Sequence, residues 1–415
     1  MTQREGVTAE QATTVGEDTR AWIAAHWNGT DDSRWRTALV EAGWAAPTWS
    51  PDHYGRGLSR TEARAVKDEF EAAGAPGAAI DLEPFVNNSY LYLLGDTLRA
   101  HGDKRIRDEL LPGLLIGRLR VGCLLYSEPG AGSDLAAVQT RAELDGDHYV
   151  VNGQKIWTSY ARDAQFALLI ARTDWDVVKH AGLSFFIVDM NSPGIDIRPI
   201  KQITGETDFN EVFLTDVRVP VTRVVGKPGD GWKVLQTALA AERAGMGGGA
   251  SKASRTPVGF GDTVRDLIEA ARAAGRDGDS VIRQEIVKNL SWRLTNTWTG
   301  QRALMEARRG SFDLANVGKL AMSRILHSGN DLRFRLQGRR SLTYDYDHPL
   351  DHRVDRDLMF GFINSIGGGS DQIQRNIIGE RVLGLPKGYE PDKGLPFREV
   401  RQGGTIRDTR RQGGA

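Results

Sequence analysis

The sequence has one cysteine, Cys123, in 415 residues, and its charges cancel, with 54 Lys and Arg against 54 Asp and Glu. One cysteine excludes an internal disulfide framework and any cysteine-based zinc site, and it fits a reducing cytosol. The balanced charge does not favour a nucleic-acid or acidic-membrane partner. No apolar run reaches the roughly 18 residues of a membrane span, and residues 1–5 do not begin a secretory signal. These absences predict a soluble, cytoplasmic protein.

Hydrophobic periodicity changes along the chain and predicts an α+β fold. Helical spacing, then short alternating runs, then helical spacing again follow one another, and the last stretch is polar and rich in arginine. Asp145-Gly146 and Asn152-Gly153 are hairpin signals, which predict antiparallel neighbours. The end of the chain has little apolar surface to bury and is therefore predicted to be solvated. The predicted parts are an N-terminal helical domain, a middle antiparallel β domain, a C-terminal four-helix-bundle-like domain and a polar tail, at residues 1–118, 119–224, 225–388 and 389–415.

Two patterns that suggest other chemistry are rejected. Gly130-Ala131-Gly132-Ser133-Asp134 follows a strand, but a dinucleotide-binding turn needs a helix directly after it, and a hairpin follows here. The aspartates and histidines between Asp345 and Asp355 are irregularly spaced and interrupted by Pro349, so a solvated loop is favoured over a metal site. No metal is predicted. Cys123 stands in an apolar run, which favours a core position over a nucleophile.

The segment from Lys155 to Ser159 carries an aromatic side chain and a hydroxyl two positions apart. Strand alternation places Trp157 and Ser159 on one face. A large π surface beside a hydrogen-bond donor suits a planar heteroaromatic molecule with acceptor atoms on its edge, although a tryptophan that only packs is the simpler alternative. Ser127, at the end of the preceding strand, is a third candidate contact.

A carboxylate falls on the apolar stripe of the helix that follows Gly231. Trp232, Leu235, Leu239 and Met246 recur at helical spacing, and Glu242 lies on the same stripe. A buried carboxylate needs a reason, because burying it unpaired is costly. One reading is an ion pair with a neighbouring helix. The other is a general base, because burial raises the pKa of a carboxylate toward a useful value.

Several segments together resemble the acyl-CoA dehydrogenase family. The most diagnostic are Leu125–Asp134, reading Leu-Tyr-Ser-Glu-Pro-Gly-Ala-Gly-Ser-Asp, and Asn152–Ser159, reading Asn-Gly-Gln-Lys-Ile-Trp-Thr-Ser. Phe209–Phe213, Glu242-Arg243 and Gly367–Arg375 agree in order and spacing. The resemblance covers residues 40–388 approximately, and it implies the helix–strand–helix fold of that family.

The resemblance implies FAD as cofactor and an acyl-CoA thioester as substrate. Glu242 would remove the α-proton, and flavin N5 would accept the β-hydride to give the 2-enoyl-CoA. Ser133 would approach the acyl-CoA, and Arg243 would shape the CoA channel. The implied cofactor contacts are Tyr126 (by its backbone), Ser127, Trp157, Ser159, Arg272, Ser370 and Gln372. The implied electron acceptor is an electron-transfer flavoprotein, and the implied assembly is a homotetramer or a heterotetramer with a related subunit.

The chain departs from the family pattern at the expected base and in the half of the site that would hold ADP. Many members carry the catalytic glutamate where this chain has Gly368. With the base at another position, the chain resembles members that act on branched or bulky acyl chains. The segment expected to carry an arginine contact to the cofactor departs from the family motif, so either Arg272 or Arg276 could make that contact. These departures leave one alternative open, a non-catalytic or FAD-poor partner subunit of a heteromeric dehydrogenase. The flavin half of the motifs and Glu242 favour the enzyme.

Overall fold

The computed structural model describes residues 9–82, 89–119, 121–246, 264–307, 314–343, 353–390 and 392–400. The chain divides into two compact units. The first comprises Met1–Ile200, Asp208–Ala238 and Pro391–Ala415, and the second comprises Lys201–Thr207 and Leu239–Glu390. The domain boundaries at 118, 224 and 388 stay predictions.

Helices form the beginning of the first unit. The bounds of α1 to α5 are Ala9–His26, Ser33–Glu41, Arg60–Ala72, Ser89–His101 and Lys104–Leu115. Helix α3 starts with a capping box, in which the Ser59 hydroxyl accepts from the Glu62 amide at 3.2 Å and the Glu62 carboxylate accepts from the Ser59 amide at 2.8 Å. It buries a stripe at helical spacing, formed by Ala63, Val66 and Phe70. Helix α5 begins after Asp103, whose side chain accepts from the Ile106 amide at 2.9 Å.

A seven-stranded sheet completes the first unit. The strands β1 to β7 are Gly122–Leu125, Arg141–Asp145, His148–Ser159, Phe166–Arg172, Leu183–Asp189, Ile195–Ile200 and Phe209–Pro220. Their order is β1-β4-β2-β3-β7-β6, with β5 paired to β4. Most pairings are antiparallel, but β4 runs parallel to β1 and meets β2 in parallel at Arg172. Every residue of β4 is buried, as expected for an apolar central strand, and the fully buried Cys123 lies in the sheet core, as predicted.

Of the two predicted hairpin turns, one is confirmed and the other is wrong. Asp145 pairs with His148 across a tight turn in which Gly146 has φ 62°. Asn152-Gly153 instead lies inside β3. The irregular residue is on the partner strand, where Asp216 of β7 adopts φ 49° at a shift in the pairing register. The side-chain amide of Asn152 donates a hydrogen bond to the Asp216 carboxylate at 2.9 Å and so holds the two strands together at this irregular position. A side chain at Gly153 would collide with Thr140.

Helices form most of the second unit. The bounds of α6 to α12 are Gly231–Met246, Val264–Ala273, Ser280–Ala307, Leu314–Leu336, Arg353–Phe360, Phe362–Ile366 and Asp371–Ile377. Helix α6 enters this unit at Leu239, because its residues up to Ala238 belong to the first unit. The longest helix, α8, turns the buried Asn289 and Asn296 inward, while Leu294, Trp298 and Met305 are exposed. These three large apolar side chains share one stripe of the helix, among exposed polar residues such as Lys288 and Arg302.

The prediction of a solvated tail is wrong for residues 392–400, which pack within the first unit. Phe397 is fully buried against Trp175, with ring centroids 5.4 Å apart. Its amide donates to the Val177 carbonyl at 2.9 Å, and the Arg398 amide donates to the Trp175 carbonyl at 3.1 Å. A single aromatic side chain with two main-chain hydrogen bonds thus anchors a segment that composition alone marks as polar. Residues 401–415 lie outside the described residues.

Membrane-spanning helices and metal clusters are both absent from the part of the chain that the structure describes. None of the helices described is both long and apolar enough to cross a membrane. Among the side chains described, no group of three or more His, Cys, Asp and Glu could hold a metal ion. Of the predicted solvated loop from Asp345 to Asp355, residues 345–352 lie outside the described residues. The prediction is wrong for Asp355, which is buried in α10.

Candidate active site

Trp157 occupies a β-bulge. The β3–β7 register shifts between Lys155 and Thr158, so that Ile156 and Trp157 together oppose one residue of β7. Trp157 has φ 62°, a left-handed conformation that is unusual for a large side chain. Its ring is 58% exposed.

The bulge also changes the reason why Trp157 and Ser159 share a face. Unbroken alternation would put Lys155 on that face as well, but Lys155 is fully buried. Beyond the bulge, Thr158 is buried between the exposed Trp157 and the half-buried Ser159. Trp157 and Ser159 therefore lie together on the less buried side of the strand.

The Tyr126-Ser127 turn is tied directly to this bulge. The Ser127 carbonyl accepts a hydrogen bond from the Ile156 amide at 2.9 Å. The Tyr126 carbonyl accepts from the Lys155 ammonium at 3.0 Å. The structure thus brings Tyr126, Ser127 and Trp157 into one hydrogen-bonded neighbourhood.

A buried ion pair between Lys155 and Glu128 supports this segment. The sequence motifs did not predict the pair. Lys155 Nζ donates to Glu128 Oε1 at 2.8 Å and to the carbonyls of Tyr126 and Ile170 at 3.0 and 2.9 Å. These three acceptors match the three N–H groups of a charged ammonium. Strand alternation, which puts Lys155 on the buried side with Val151, was the available signal. A lysine at such a position requires a partner.

The other partner, Glu128, holds the start of β2. Its two carboxylate oxygens accept from the amides of Gln139 at 2.6 Å and Thr140 at 2.9 Å. Burial opposes ionisation, but the Lys155 ammonium and these hydrogen bonds outweigh it and lower the pKa of Glu128. Burial lowers the pKa of Lys155, and Glu128 opposes that shift. The geometry of three donated hydrogen bonds supports the charged pair.

Ser133 lies exposed in the loop between β1 and β2. Its neighbour Asp134 forms an ion pair with Lys179 at 3.0 Å. The loop is thus held beside Ser133, while the Ser133 side chain itself faces water.

In the second unit, Ser370 and Gln372 stand at a helix start, as the sequence predicts. The Ser370 hydroxyl caps α12 by accepting from the Ile373 amide at 3.3 Å. The preceding Gly368 and Gly369 have φ 62° and 89°. At Gly369 a side chain would also collide with the Gln374 amide.

A buried lysine fixes this glycine turn too. Lys319 Nζ donates to the Gly369 carbonyl at 2.6 Å and lies 3.5 Å from Asp371 Oδ1. Ser323 donates to the same carboxylate at 2.7 Å. The motif search did not identify Lys319, because its partners are about 50 residues away in sequence and helical periodicity carries no pairing information.

The remaining predicted site residues are only partly described. Helix α6 forms as predicted, but its buried residues include Val234, Leu235 and Ala238, whereas Trp232 and Leu239 of the predicted stripe are only half-buried. The side chains of Glu242 and Arg243 lie outside the described residues.

Arg272 is exposed in the last turn of α7, whereas the Arg276 guanidinium pairs with Asp279 at 2.5 Å. Both arginines are exposed, and Arg276 is engaged locally by Asp279.

Comparisons with known proteins agree with this fold. The family model described as Acyl-CoA dehydrogenase, middle domain, matches residues 123–217, and that described as Acyl-CoA dehydrogenase, C-terminal domain, matches residues 229–383. Acyl-CoA dehydrogenase IpdE1 of Mycobacterium tuberculosis is 39% identical over 365 residues, which are 85% of this chain and 88% of that protein.

Two solved structures are also similar. The ChsE4-ChsE5 complex from Mycobacterium tuberculosis is 28% identical, with a TM-score of 0.65 over 93% of this chain and 100% of that chain. A variant of the Tcur3481-Tcur3483 steroid ACAD is 25% identical, with a TM-score of 0.67 over 91% of this chain and 100% of that chain. With two family models and a relative of this identity, the chain belongs to the acyl-CoA dehydrogenase family of enzymes and has that family's fold.

Proposed function

We propose that this chain oxidises the Cα–Cβ bond of an acyl-CoA thioester to the 2-enoyl-CoA, with FAD as cofactor and Glu242 as the base. The observation that carries the proposal is the exposed, left-handed Trp157 beside Ser127 and Ser159, in a chain of this family. A non-glycine residue in this conformation costs on the order of 1–3 kcal/mol, and such strain clusters at functional sites.

The residues of the first unit fit an isoalloxazine ring. The exposed indole offers a π surface, and the hydroxyls of Ser127 and Ser159 are half-buried beside it. The main chain of Tyr126 is held by the Lys155 ammonium, so its position is fixed before any ligand binds. We assign the ring contacts to these four residues: Tyr126, Ser127, Trp157 and Ser159.

The residues of the second unit suit the polar parts of the cofactor and substrate. Ser370 and Gln372 lie at the N-terminus of α12, where main-chain N–H groups favour polar or anionic atoms. Arg272 is the preferred arginine, because Arg276 already pairs with Asp279.

The proposed chemistry divides between the chain and the cofactor. Glu242 takes the α-proton, which the thioester acidifies, and hydrogen bonds to the thioester carbonyl stabilise the developing enolate. Bound FAD supplies the acceptor for the β-hydride. Ser133 and Arg243 would contact the acyl-CoA. An electron-transfer flavoprotein is the proposed acceptor of the electrons.

A bulky acyl chain is the preferred substrate class. The position where many members carry the base is Gly368, and the neighbouring Gly367 and Gly369 add no side chains. Similarity to a structure named as a steroid ACAD supports a large acyl group.

We also infer an oligomer, either a homotetramer or a heterotetramer with a related subunit. The exposed Leu294, Trp298 and Met305 on α8 form an apolar surface that a partner subunit would cover. The similarity to structures named for two components favours a heteromer as much as a homomer.

The test begins with the visible spectrum of the purified protein and continues with Glu242→Gln. We expect flavin bands in both proteins. The variant should lose flavin reduction by a panel of acyl-CoA thioesters about 10²–10⁴-fold, the usual contribution of a general base. Glu269→Gln, at an exposed position on α7, is the matched control. Reduction at the parent rate in Glu242→Gln would place the base elsewhere, and a parent protein without flavin would favour the partner-subunit alternative.

A further inference from the structure

Residues 392–400 form a segment beyond the match to the family's C-terminal domain, which ends at residue 383. We call this segment the strap. It runs beside residues 175–178, with an isolated bridge between Val178 and Pro396. Its only fully buried side chain among those described is Phe397. An exposed ion pair between Arg398 and Asp176 adds a second contact, at 2.6 Å.

Phe397 covers Arg172, the last residue of β4. The guanidinium carbon lies 3.3 Å from the centroid of the Phe397 ring, and Arg172 is fully buried. A cation over an aromatic face is attracted more strongly when water is excluded. The strap therefore closes the site in which this guanidinium lies.

Arg172 in turn holds two loops by their main chains. It donates to the carbonyls of Ala136 at 2.7 Å and Val138 at 3.1 Å, on the loop that carries Ser133. It also donates to the Lys179 carbonyl at 3.0 Å, and the Lys179 ammonium binds Asp134. The two loops are thus joined twice, once through Arg172 and once beside Ser133. Hydrogen bonds of a buried cation are stronger when water is kept out.

We propose that the strap positions the Ser133 loop for acyl-CoA binding, acting through Phe397 and Arg172. Both are positioning residues, because they reach Ser133 only through the main chain of its loop. The role in acyl-CoA binding rests on the proposed function. The mechanical link between the strap and the loop does not.

The link is tested by hydrogen exchange on the full chain without added substrate. Phe397→Ser should raise amide exchange in residues 130–140 at least tenfold. The loop should open more often, because water then reaches the Arg172 guanidinium and weakens its hydrogen bonds to the loop carbonyls. Arg398→Ala, which removes only the exposed ion pair, should stay within twofold of the parent. Phe397→Leu keeps apolar burial without the ring and serves if the serine variant does not fold. Faster exchange of the strap with unchanged exchange in 130–140 overturns the proposal.

The role in binding is tested by kinetics on the same variants. We expect Phe397→Ser to raise KM for an acyl-CoA at least fivefold, with a smaller change in kcat and the parent flavin content. Raised loop exchange with an unchanged KM would overturn the binding role alone. A parent protein that reduces no flavin with any acyl-CoA would refute the proposed function, and the exchange result would still decide whether the strap holds the loop.

Discussion

Replacing Lys155 by methionine tests whether the buried ion pair orders the candidate site. Methionine fills a similar volume but donates no hydrogen bond. The change leaves Glu128 ionised and buried without its ammonium partner, and the amides of Gln139 and Thr140 remain as hydrogen-bond donors to it. The carbonyls of Tyr126 and Ile170 lose a donor as well.

The expected loss of stability is large. Removing one partner of a buried pair costs about 3–5 kcal/mol, because the remaining charge is uncompensated. At roughly 1.4 kcal/mol per factor of ten, the unfolding equilibrium shifts by two to nearly four orders of magnitude. Replacing both partners, as Lys155→Met with Glu128→Gln, should recover part of this loss because no unpaired charge remains.

Urea denaturation of the parent, both single variants and the double variant measures these differences. Lys67→Met is the control, because its ion pair with Glu71 is half-exposed at 3.6 Å and such pairs contribute at most about 1 kcal/mol. Retained flavin is the second readout, since Lys155 holds the Tyr126 carbonyl. A Lys155→Met protein within about 1 kcal/mol of the control, by the criterion of surface pairs, would refute the reasoning.

The pH dependence has a definite sign. In the parent the pKa of Glu128 is lowered, so its stabilisation is present above its ordinary pKa of 4.5 and is lost as pH falls through the lowered value. In Lys155→Met, burial without the ammonium should raise the pKa of Glu128, so protonation begins at a higher pH and relieves the penalty. The gap between parent and variant should therefore narrow as pH falls from 7 toward 4.5. A gap that is constant over this range would show that Glu128 charge is not involved.

Three further predictions concern the ring site, the assembly and the core. Trp157→Leu should lower FAD content or change the flavin spectrum, and an unchanged spectrum with unchanged content would remove Trp157 from the site. The double variant Leu294→Ser and Trp298→Ser should reduce the sedimenting mass, whereas a parent that sediments as an active, FAD-bound monomer would refute the oligomer. Burial raises the pKa of Cys123 to about 12, so about one thiol in ten thousand is ionised at pH 8 and iodoacetamide should label only unfolded protein; rapid labelling of the native protein would contradict this.

Local patterns predicted the elements whose causes are local. Alternation and apolar runs located the central strands, and helical spacing of apolar residues located the helical regions. The Asp145-Gly146 turn follows from the conformational freedom of glycine at φ 62°. Asn152-Gly153 gave a wrong turn prediction, because Asn152 bonds Asp216 on another strand. That contact is not visible in the residues next to Asn152 in sequence.

The supporting charges of the site could not be predicted in the same way. Lys155 and Glu128 are 27 residues apart, and only the folded sheet shows that they meet. Phe397 stands among polar residues, so composition predicted solvation. It is buried because Arg172, 225 residues earlier in the chain, offers a cation to the ring's face. The family motifs identified the residues that would face a ligand, but not those that hold them.

The same arrangement occurs three times, at two loops that carry predicted site residues: Lys155 and Arg172 hold the loop between β1 and β2, and Lys319 holds the glycine turn before α12. Lys155, Arg172 and Lys319 are all fully buried, and each donates from a regular element to main-chain carbonyls of a loop. These loops contain glycines and short turns, so they have little side-chain surface with which to build a core of their own. A long cationic side chain from a neighbouring element holds such a loop in place, because its several N–H donors bind carbonyls that would otherwise be solvated. Exposed residues such as Ser133, the proposed acyl-CoA contact, then remain unobstructed while the backbone beneath them is held.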